Sequence, residues 1–263
     1  MIYLRLIRAF ILSSIKIETA FRVNFFISFF QSLLNLAAGI FGIMVLFSRV
    51  QNLNGWDMPA AMALLGVYLI VSALRGLVFG PSLENLAGMG QEIATGNYDF
   101  TLLRPVSAQF VSSFSRWRLF SLFDLALGIG VVVYAAVLPG QTISLYQLLA
   151  FLVTLVTGTA IVYAFLLGLT ALVFWSPGFM FTWVFDGFFQ MARYPVGIYP
   201  GGLRFILTWI IPVGMITTFP AVALTGNLPV KWIFAAVSLS AVMVTAASRL
   251  FQFALRRYSS ASS

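Results

Sequence analysis

The stretch LYQLLAFLVTLVTGTAIVYAFLLGLTALVFW, residues 145–175, decides the class of fold because it contains no charged residue. An α-helix rises about 1.5 Å per residue, so about 20 apolar residues cross the ~30 Å hydrocarbon core of a bilayer. Such a helix also satisfies its backbone polar groups within its own segment, which the bilayer requires. The stretch therefore predicts a transmembrane helix.

The rest of the chain has the same character. Its 263 residues are 61% hydrophobic and 8% charged, with a mean hydropathy of +1.00. Soluble domains carry about 25% charged residues, so this chain cannot cover its surface with polar groups and must use the bilayer as solvent. The apolar runs are too long and uniform for a β-barrel. We predict an all-α polytopic membrane protein, a single transmembrane domain over residues 1–263, with spans at 23–47, 58–80, 117–138, 145–175, 179–195 and 230–252.

The distribution of basic residues predicts the orientation, because Lys and Arg are enriched on the cytoplasmic side of membrane proteins. Only Arg49 and Lys231 clearly flank one side. Those that flank the other are Arg5, Arg8, Lys16, Arg22, Arg75, Arg104, Arg116, Arg118, Arg249, Arg256 and Arg257. We therefore predict cytoplasmic termini, a cytoplasmic loop at 81–113 and an even number of crossings.

The first 22 residues lack the pattern of a cleavable secretory signal. On a helical projection, the charged residues of 2–22 cluster on one arc and several large apolar residues lie opposite. This pattern favours an amphipathic helix in the cytoplasmic interface. The alternative is an early start to the first span.

The composition excludes several kinds of chemistry. The chain has no Cys and no His, which removes disulfides, haem ligation, thiolate or imidazole metal sites and nucleophilic triads that need His. No GxxxxGK[ST] motif occurs, so the chain does not hydrolyse ATP by the P-loop route. We expect no cofactor on this chain. The net charge of +8 is explained by orientation, so the expected partner is the bilayer and not nucleic acid.

Polar residues inside the predicted spans are candidates for function. Asn35 shares one face of the first span with Asn24 and Gln31, and this face is expected to point at another helix. Arg75, near the end of the second span, is expected to snorkel to the interface. Contact with a substrate is the alternative role for Arg75.

Two acidic residues also lie at predicted membrane depth. Asp124 and Asp186 could form a proton relay, because ionisable groups within membranes are functional candidates. A role in helix packing or hydrogen bonding is an equal alternative for each of them.

The loop at 81–113 is the longest polar interval between apolar runs. Pro81 suits the start of a helix, Glu84 its first turn and Gly96 its end, which predicts a short helix at 82–96. Exposed apolar residues beside acidic ones then form a small knob that could enter a groove of a partner. The knob comprises Ile93, Tyr98 and Phe100, with Glu92 and Asp99. A solvated connector is the alternative.

The region 179–224 allows two arrangements. In the first, 179–195 is the fifth span and 198–224 is an external hairpin that dips into the membrane. In the second, 179–200 lies at the cytoplasmic interface and 203–224 is the span. The charges of Arg193 and Arg204 favour the second, whereas four prolines indicate broken helices at membrane depth and favour the first. These prolines are Pro195, Pro200, Pro212 and Pro220.

Three motifs carry a resemblance to a known group. They are GNYDFTLLRPVS at 96–107, RYPVGIYPGGLRFILTWIIPVGMITTFPAVALTG at 193–226 and LRRYSSASS at 255–263. In these motifs and in its hydrophobic layout, essentially the whole chain resembles permease subunits of bacterial ABC transporters of the ABC-2 type. Within that group it resembles an uncharacterised permease family that is usually paired with a second permease and an ATPase. The resemblance favours the first arrangement of 179–224.

The resemblance implies a specific role for each part. The N-terminal helix becomes an interfacial elbow, and 82–96 with the residues after it becomes a coupling helix that docks on the ATPase. The implied docking residues are Glu84, Glu92, Ile93, Tyr98, Asp99, Phe100, Leu103, Arg104 and Pro105. The segment 198–224 becomes a re-entrant extracellular hairpin. The residues implied for this hairpin and for the chain that leads into it are Arg193, Tyr194, Pro195, Tyr199, Pro200, Arg204, Pro212 and Pro220.

The implied function is that of the permease subunit of an ATP-driven exporter in the bacterial plasma membrane. ATP and Mg would bind the partner ATPase, and a second permease chain, identical or related, would complete the pathway. Because the chain offers few charged groups, a hydrophobic or amphipathic substrate is expected. A proton-coupled secondary transporter using Asp124 and Asp186 is the alternative.

Overall fold

The computed structural model describes residues 2–20, 22–50, 52–87, 92–93, 95–138, 143–176, 181–226 and 228–258. These residues form helices and no strand. The helices are α1 (Ile2–Ala20), α2 (Arg22–Phe47), α3 (Met58–Leu74), α4 (Gly80–Ala87), α5 (Asp99–Leu102), α6 (Ala108–Phe114), α7 (Ser121–Val137), α8 (Leu145–Leu172), α9 (Phe181–Gln190), α10 (Gly201–Phe205), α11 (Phe219–Thr225) and α12 (Val230–Arg256).

Among the described residues, four helical stretches are long and apolar enough to cross a membrane. They are Val23–Phe47, Met58–Ala87, Leu145–Leu172 and Val230–Arg256. A fifth candidate is the pair Gly201–Ile210 and Gly214–Thr225, whose axes differ by 70°. The helix α7 is apolar but shorter. The all-α polytopic class is therefore confirmed.

The core forms around α3, which is buried along most of its length. The helix begins where the side chain of Asp57 accepts a hydrogen bond from the amide of Ala60. It runs antiparallel to α7, and Gly128 brings the two backbones close: a Cβ there would lie 2.9 Å from the Ile70 nitrogen. Small residues allow this approach between transmembrane helices.

The helices α8 and α12 run parallel to each other. At their first residues, the Tyr146 hydroxyl donates to the Leu228 carbonyl. At their other ends, the rings of Phe174 and Phe251 are 5.6 Å apart. Because α8 and α12 point in the same direction, the chain must return between them, and residues 181–226 lie in this connection.

The segment from α9 to residue 197 runs along α3 from one end towards the other. Asp186 contacts Arg75, close to the end of α3, and the Phe189 ring lies 5.2 Å from the Tyr68 ring further along that helix. The Gly197 carbonyl accepts a hydrogen bond from Asn54, in the turn between α2 and α3. The helix α9 itself has ten residues, about 15 Å, and 3₁₀ turns and extended residues continue the path.

Residues 201–225 form two helical arms that are bent by 70° relative to each other. The arms meet at Ile211–Pro212, where the proline nitrogen cannot donate to a helix. The second arm packs on α8 at Gly158, where a Cβ would lie 2.7 Å from the Ile216 carbonyl oxygen. It ends at Gly226, whose carbonyl accepts a 3.3 Å hydrogen bond from Gln147 at the start of α8.

The third apolar helix begins later than the sequence suggests. The span expected at 117–138 begins as α7 at Ser121, because side chains of α1 bind the backbone amides just before Ser121. The amide of Trp117 donates to the Ser14 hydroxyl over 3.0 Å, and the amide of Leu119 donates to the Glu18 carboxylate over 2.9 Å. Residues 179–180 of the expected fifth span and 259–263 of the C-terminal motif lie outside the described residues.

Candidate functional site

One end of the bundle holds Arg75, Glu84, residues 92–93 and 95–120 and the start of α9, and we call it the charged end. Its centre is Arg75, which lies in a π-helical turn between α3 and α4 and whose side chain is 11% exposed. The guanidinium donates to Glu84 over 2.8 Å and contacts Asp186 over 2.6 Å. It also lies 5.7 Å from the centre of the Phe185 ring. The sequence predicts that Arg75 snorkels to the interface; in the structure, two carboxylates bind its guanidinium.

A second set of contacts fixes the loop after α4. Glu92 accepts hydrogen bonds from Asn85 over 2.6 Å and from Arg116 over 3.2 Å. The Ser82 hydroxyl accepts from the backbone amide of Arg116 over 2.8 Å. Arg118 lies 3.9 Å from Glu84. These contacts join α4 to the segment before α7.

A cavity of about 740 Å³ opens at the charged end between α1, α4, α9 and the segment before α7. Glu18, Glu84 and Asp186 line it together with Arg104 and Arg118. Its walls also include Trp183, which is 66% exposed. This volume is in the range of ligand-binding pockets. Burial raises the pKa of Glu18 above its usual 4.5, although the Leu119 amide opposes the shift.

The predicted helix at 82–96 is wrong in length. The helix α4 ends at Ala87, residues 92–93 and 95–98 form turns, and residues 88–91 and 94 lie outside the described residues. Gly96 has a φ of +74°, a left-handed conformation that suits glycine in a turn.

Two residues of the predicted exposed knob are buried. Ile93 is 4% exposed and Tyr98 is 1% exposed. The Tyr98 hydroxyl is 3.0 Å from that of Ser112, and its ring lies 5.4 Å from Phe174 and 5.9 Å from Tyr258. Burial raises the pKa of Tyr98 to about 12, so its hydroxyl stays protonated at neutral pH. These residues hold the loop to the bundle, so they cannot form a contact surface.

The exposed part of the loop is smaller and lies further along the chain. Phe100 is 68% exposed and Leu103 is 80% exposed, and Leu102 between them is 41% exposed. Arg104 and Pro105 follow and are also exposed. We call Phe100, Leu102 and Leu103 the apolar patch.

Asp124 and Asp186 line different cavities. Asp186 is paired with Arg75, whereas Asp124 lies within hydrogen-bond reach of the Ser32 hydroxyl. Asn35 lines the same cavity as Asp124. The two aspartates thus have separate partners.

Most candidate residues of the hairpin region contact other parts of the same chain. Arg193 lies 5.0 Å from the centre of the Tyr68 ring, and the Tyr194 side chain lies against Gly42. The Tyr199 hydroxyl donates to the Met191 carbonyl over 2.9 Å, and Arg204 donates to the Gly197 carbonyl over 2.7 Å. Pro195, Pro212 and Pro220 are buried, whereas Pro200 is exposed before α10.

Sequence reasoning missed three functional candidates at the charged end. Arg116 and Arg118 were used only as orientation signals, and Glu18 only as part of an amphipathic pattern. Arg116 and Arg118 pair with Glu92 and Glu84, which are far from them in sequence. No helical or strand period in the sequence therefore predicts these contacts. Glu18 is the single acidic residue among the basic ones of α1, and this was the usable signal.

The fold and these sites define a polytopic membrane protein with a charged, partly apolar surface at one end and polar cavities between its helices. The chain belongs to the ABC-2 family of transporter proteins, whose family model, described as ABC-2 family transporter protein, matches residues 33–262. The resemblance in the sequence is thus confirmed, and the chain is an integral membrane permease subunit of an ABC transporter. No curated protein and no solved structure matches it significantly.

Proposed function

We propose that the chain is the permease subunit of an ATP-driven exporter in a bacterial plasma membrane, with the charged end in the cytoplasm. The match to the ABC-2 family carries this proposal. The family implies a partner ATPase, because the permease converts nucleotide-driven motion into transport. The excess of arginine at the charged end supports the orientation.

The proposed topology has six crossings. They are α2, α3 with α4, α7, α8, residues 181–197 and α12. The fifth crossing is supported by the contacts of Asp186 with Arg75 at one end and of Gly197 with Asn54 at the other. The hairpin at 201–225 would then be re-entrant from the external side, since its ends lie near Asn54 and Gln147.

The apolar patch is the proposed contact for the ATPase. It projects from the charged end beside Arg104, whereas the buried Tyr98 attaches the loop to Ser112 of α6 and to Tyr258, just after α12. A displacement of the loop by the ATPase would move α4 and then Arg75, because Arg75 contacts both α4 and α9. The fifth crossing would move with the loop. The amphipathic α1 would lie in the cytoplasmic interface as an elbow, bound to the same region through Ser14 and Glu18.

A pull-down from native membranes tests this contact. The double variant Phe100→Ser with Leu103→Ser should lose an ABC ATPase that mass spectrometry identifies by its P-loop sequence. Leu145→Ser is the matched control, since Leu145 is 72% exposed at the opposite end. Charge reversal at Glu92 is a poorer test, because Asn85 and Arg116 already bind that carboxylate. Unchanged recovery of the ATPase in the double variant would contradict the assignment.

A further inference from the structure

A polar cleft lies between α2 and the start of α7. Its volume is about 260 Å³, and seven of its eight lining residues are polar. Asn35 lines it and is the middle residue of the candidate span Val23–Phe47. Arg118 lines both this cleft and the 740 Å³ cavity at the charged end. Polar walls thus extend from that cavity to the middle of the first span.

The hydrogen-bond contact of Asp124 with Ser32 joins α7 to α2 and accounts for two of these polar residues, whereas Gln31 and Asn35 also line the cleft. The rings of Phe25 and Phe29 already pack on Phe123 of α7, at 5.2 and 5.4 Å. Polar groups at membrane depth are costly and face other helices or water-filled cavities. If this interface served only to join α2 to α7, apolar residues would make the packed state more stable than these polar ones do.

The charges of the cleft are arranged in two places. Arg118 lies before α7, where the cleft meets the larger cavity, and Asp124 lies within α7. The other walls carry neutral hydroxyl and amide groups, including the buried Ser32, which donates to the Ser28 carbonyl over 3.0 Å and lies within hydrogen-bond reach of Asp124. Arg118 lies close enough to Asp124 to interact with it electrostatically. A cation and an anion that line one cleft are complementary to a zwitterion.

The surroundings of the cleft suit an amphipathic molecule. On α2, Phe30 is 61% exposed and Leu34 is 70% exposed. These side chains flank Gln31 and Asn35 in sequence, so an apolar tail beside the cleft would remain in contact with lipid and with α2. The polar part of the same molecule could then occupy the cleft.

We propose that this cleft binds the zwitterionic head group of an amphipathic molecule, with its phosphate on Arg118 and its protonated amine on Asp124. The inference rests on the proposed function and names the substrate class of that transporter. The amine would donate charge-assisted hydrogen bonds to the Asp124 carboxylate. A quaternary ammonium has no N–H and could not.

Native mass spectrometry of the full chain with defined lipids tests the proposal. Phosphatidylethanolamine should bind more tightly than phosphatidylcholine and phosphatidylglycerol. Asp124→Asn should reduce the preference for phosphatidylethanolamine over phosphatidylcholine by about tenfold, the effect of one lost charge-assisted contact. Arg118→Gln should weaken both lipids equally, because both carry the phosphate. Asp57→Asn, at the opposite end of the bundle, should change neither affinity.

An unchanged lipid preference in Asp124→Asn would overturn the proposal. If that variant is poorly folded, the unequal loss of the two lipids in Arg118→Gln overturns it instead. If soluble phosphoethanolamine competes with the lipid, the head group alone is sufficient for binding. If it does not compete but the protein still prefers phosphatidylethanolamine, the apolar tail is also required. Since binding is measured without an ATPase, the result is independent of whether the apolar patch docks on one.

Discussion

The Nη1 atom of Arg75 lies 2.6 Å from the Oδ1 atom of Asp186, which joins the end of the most buried helix to the short helix α9. The same guanidinium binds Glu84 on α4. One side chain therefore connects α4, which precedes the loop proposed to meet the ATPase, with the proposed fifth crossing. This arrangement leads to the first prediction.

Arg75→Gln should destabilise the protein more than Asp186→Asn does. Removal of the cation leaves Asp186 without Arg75 and leaves Glu84 with the longer 3.9 Å contact to Arg118, whereas loss of the Asp186 carboxylate leaves the Arg75–Glu84 pair intact. Loss of one partner of a buried pair costs about 3–5 kcal/mol, and the partial exposure of both carboxylates reduces the expected cost to about 2 kcal/mol. Thermal unfolding in nanodiscs measures the difference. Arg49→Gln is the control, because Arg49 is exposed and forms no ion pair with a described residue; equal melting temperatures for Arg75→Gln and this control would refute the central role.

The proposed topology predicts the accessibility of single cysteines. The chain has no native cysteine, so each variant carries one label site. Asn52→Cys and Gly201→Cys should react with an impermeant maleimide added outside intact cells, and Ser107→Cys should react only after lysis. If Gly201→Cys instead reacts only after lysis, residues 181–197 do not cross and the hairpin is a span.

Gly128→Ala should disturb the packing of α3 against α7. The added Cβ would lie 2.9 Å from the backbone nitrogen of Ile70, so one helix must shift. Overpacking of this kind costs about 1–3 kcal/mol. Gly130→Ala, two residues further along α7, meets nothing within 4 Å and should not destabilise the protein. Melting temperatures of the two variants compare them directly, and equal losses would show that the close approach is unimportant.

Protonation of Glu18 should strengthen the docking of α1. Burial raises the pKa of Glu18 in the docked helix, so the docked state binds this proton more tightly than the free one. Protonated Glu18 therefore stabilises the docked state of α1. This stabilisation is lost as the pH rises through the raised pKa, which lies above the usual 4.5. Hydrogen exchange of α1 at several pH values measures this effect.

Two variants separate the charge of Glu18 from its hydrogen bond. Glu18→Gln keeps an acceptor for the Leu119 amide without the cost of a buried charge, so its exchange should be slow and less dependent on pH. Glu18→Ala lacks the acceptor and should exchange faster. Identical pH dependence in the wild type and Glu18→Gln would assign the effect to another group.

The all-α class and the ABC-2 resemblance were predictable from the sequence, because uncharged runs such as 145–175 have one stable state in a bilayer and because long motifs such as 193–226 are specific. The loop after α4 was not. A glycine and a proline predicted a helix at 82–96, but the aromatic contacts of Tyr98 with Phe174 and Tyr258 draw the loop onto the bundle. Local signals carry no information about such distant partners.

By itself, the sequence determined the solvent of this protein, its helical class and the bias of its charges, since these depend on composition and on the period of single segments. Only the tertiary structure decided which side chains meet. It placed Arg75 between Glu84 and Asp186, separated Asp186 from Asp124, and left Phe100 and Leu103 exposed while Tyr98 was buried. The physical reason is that burial and ion pairing depend on contacts between segments far apart in the chain, which a linear pattern does not specify.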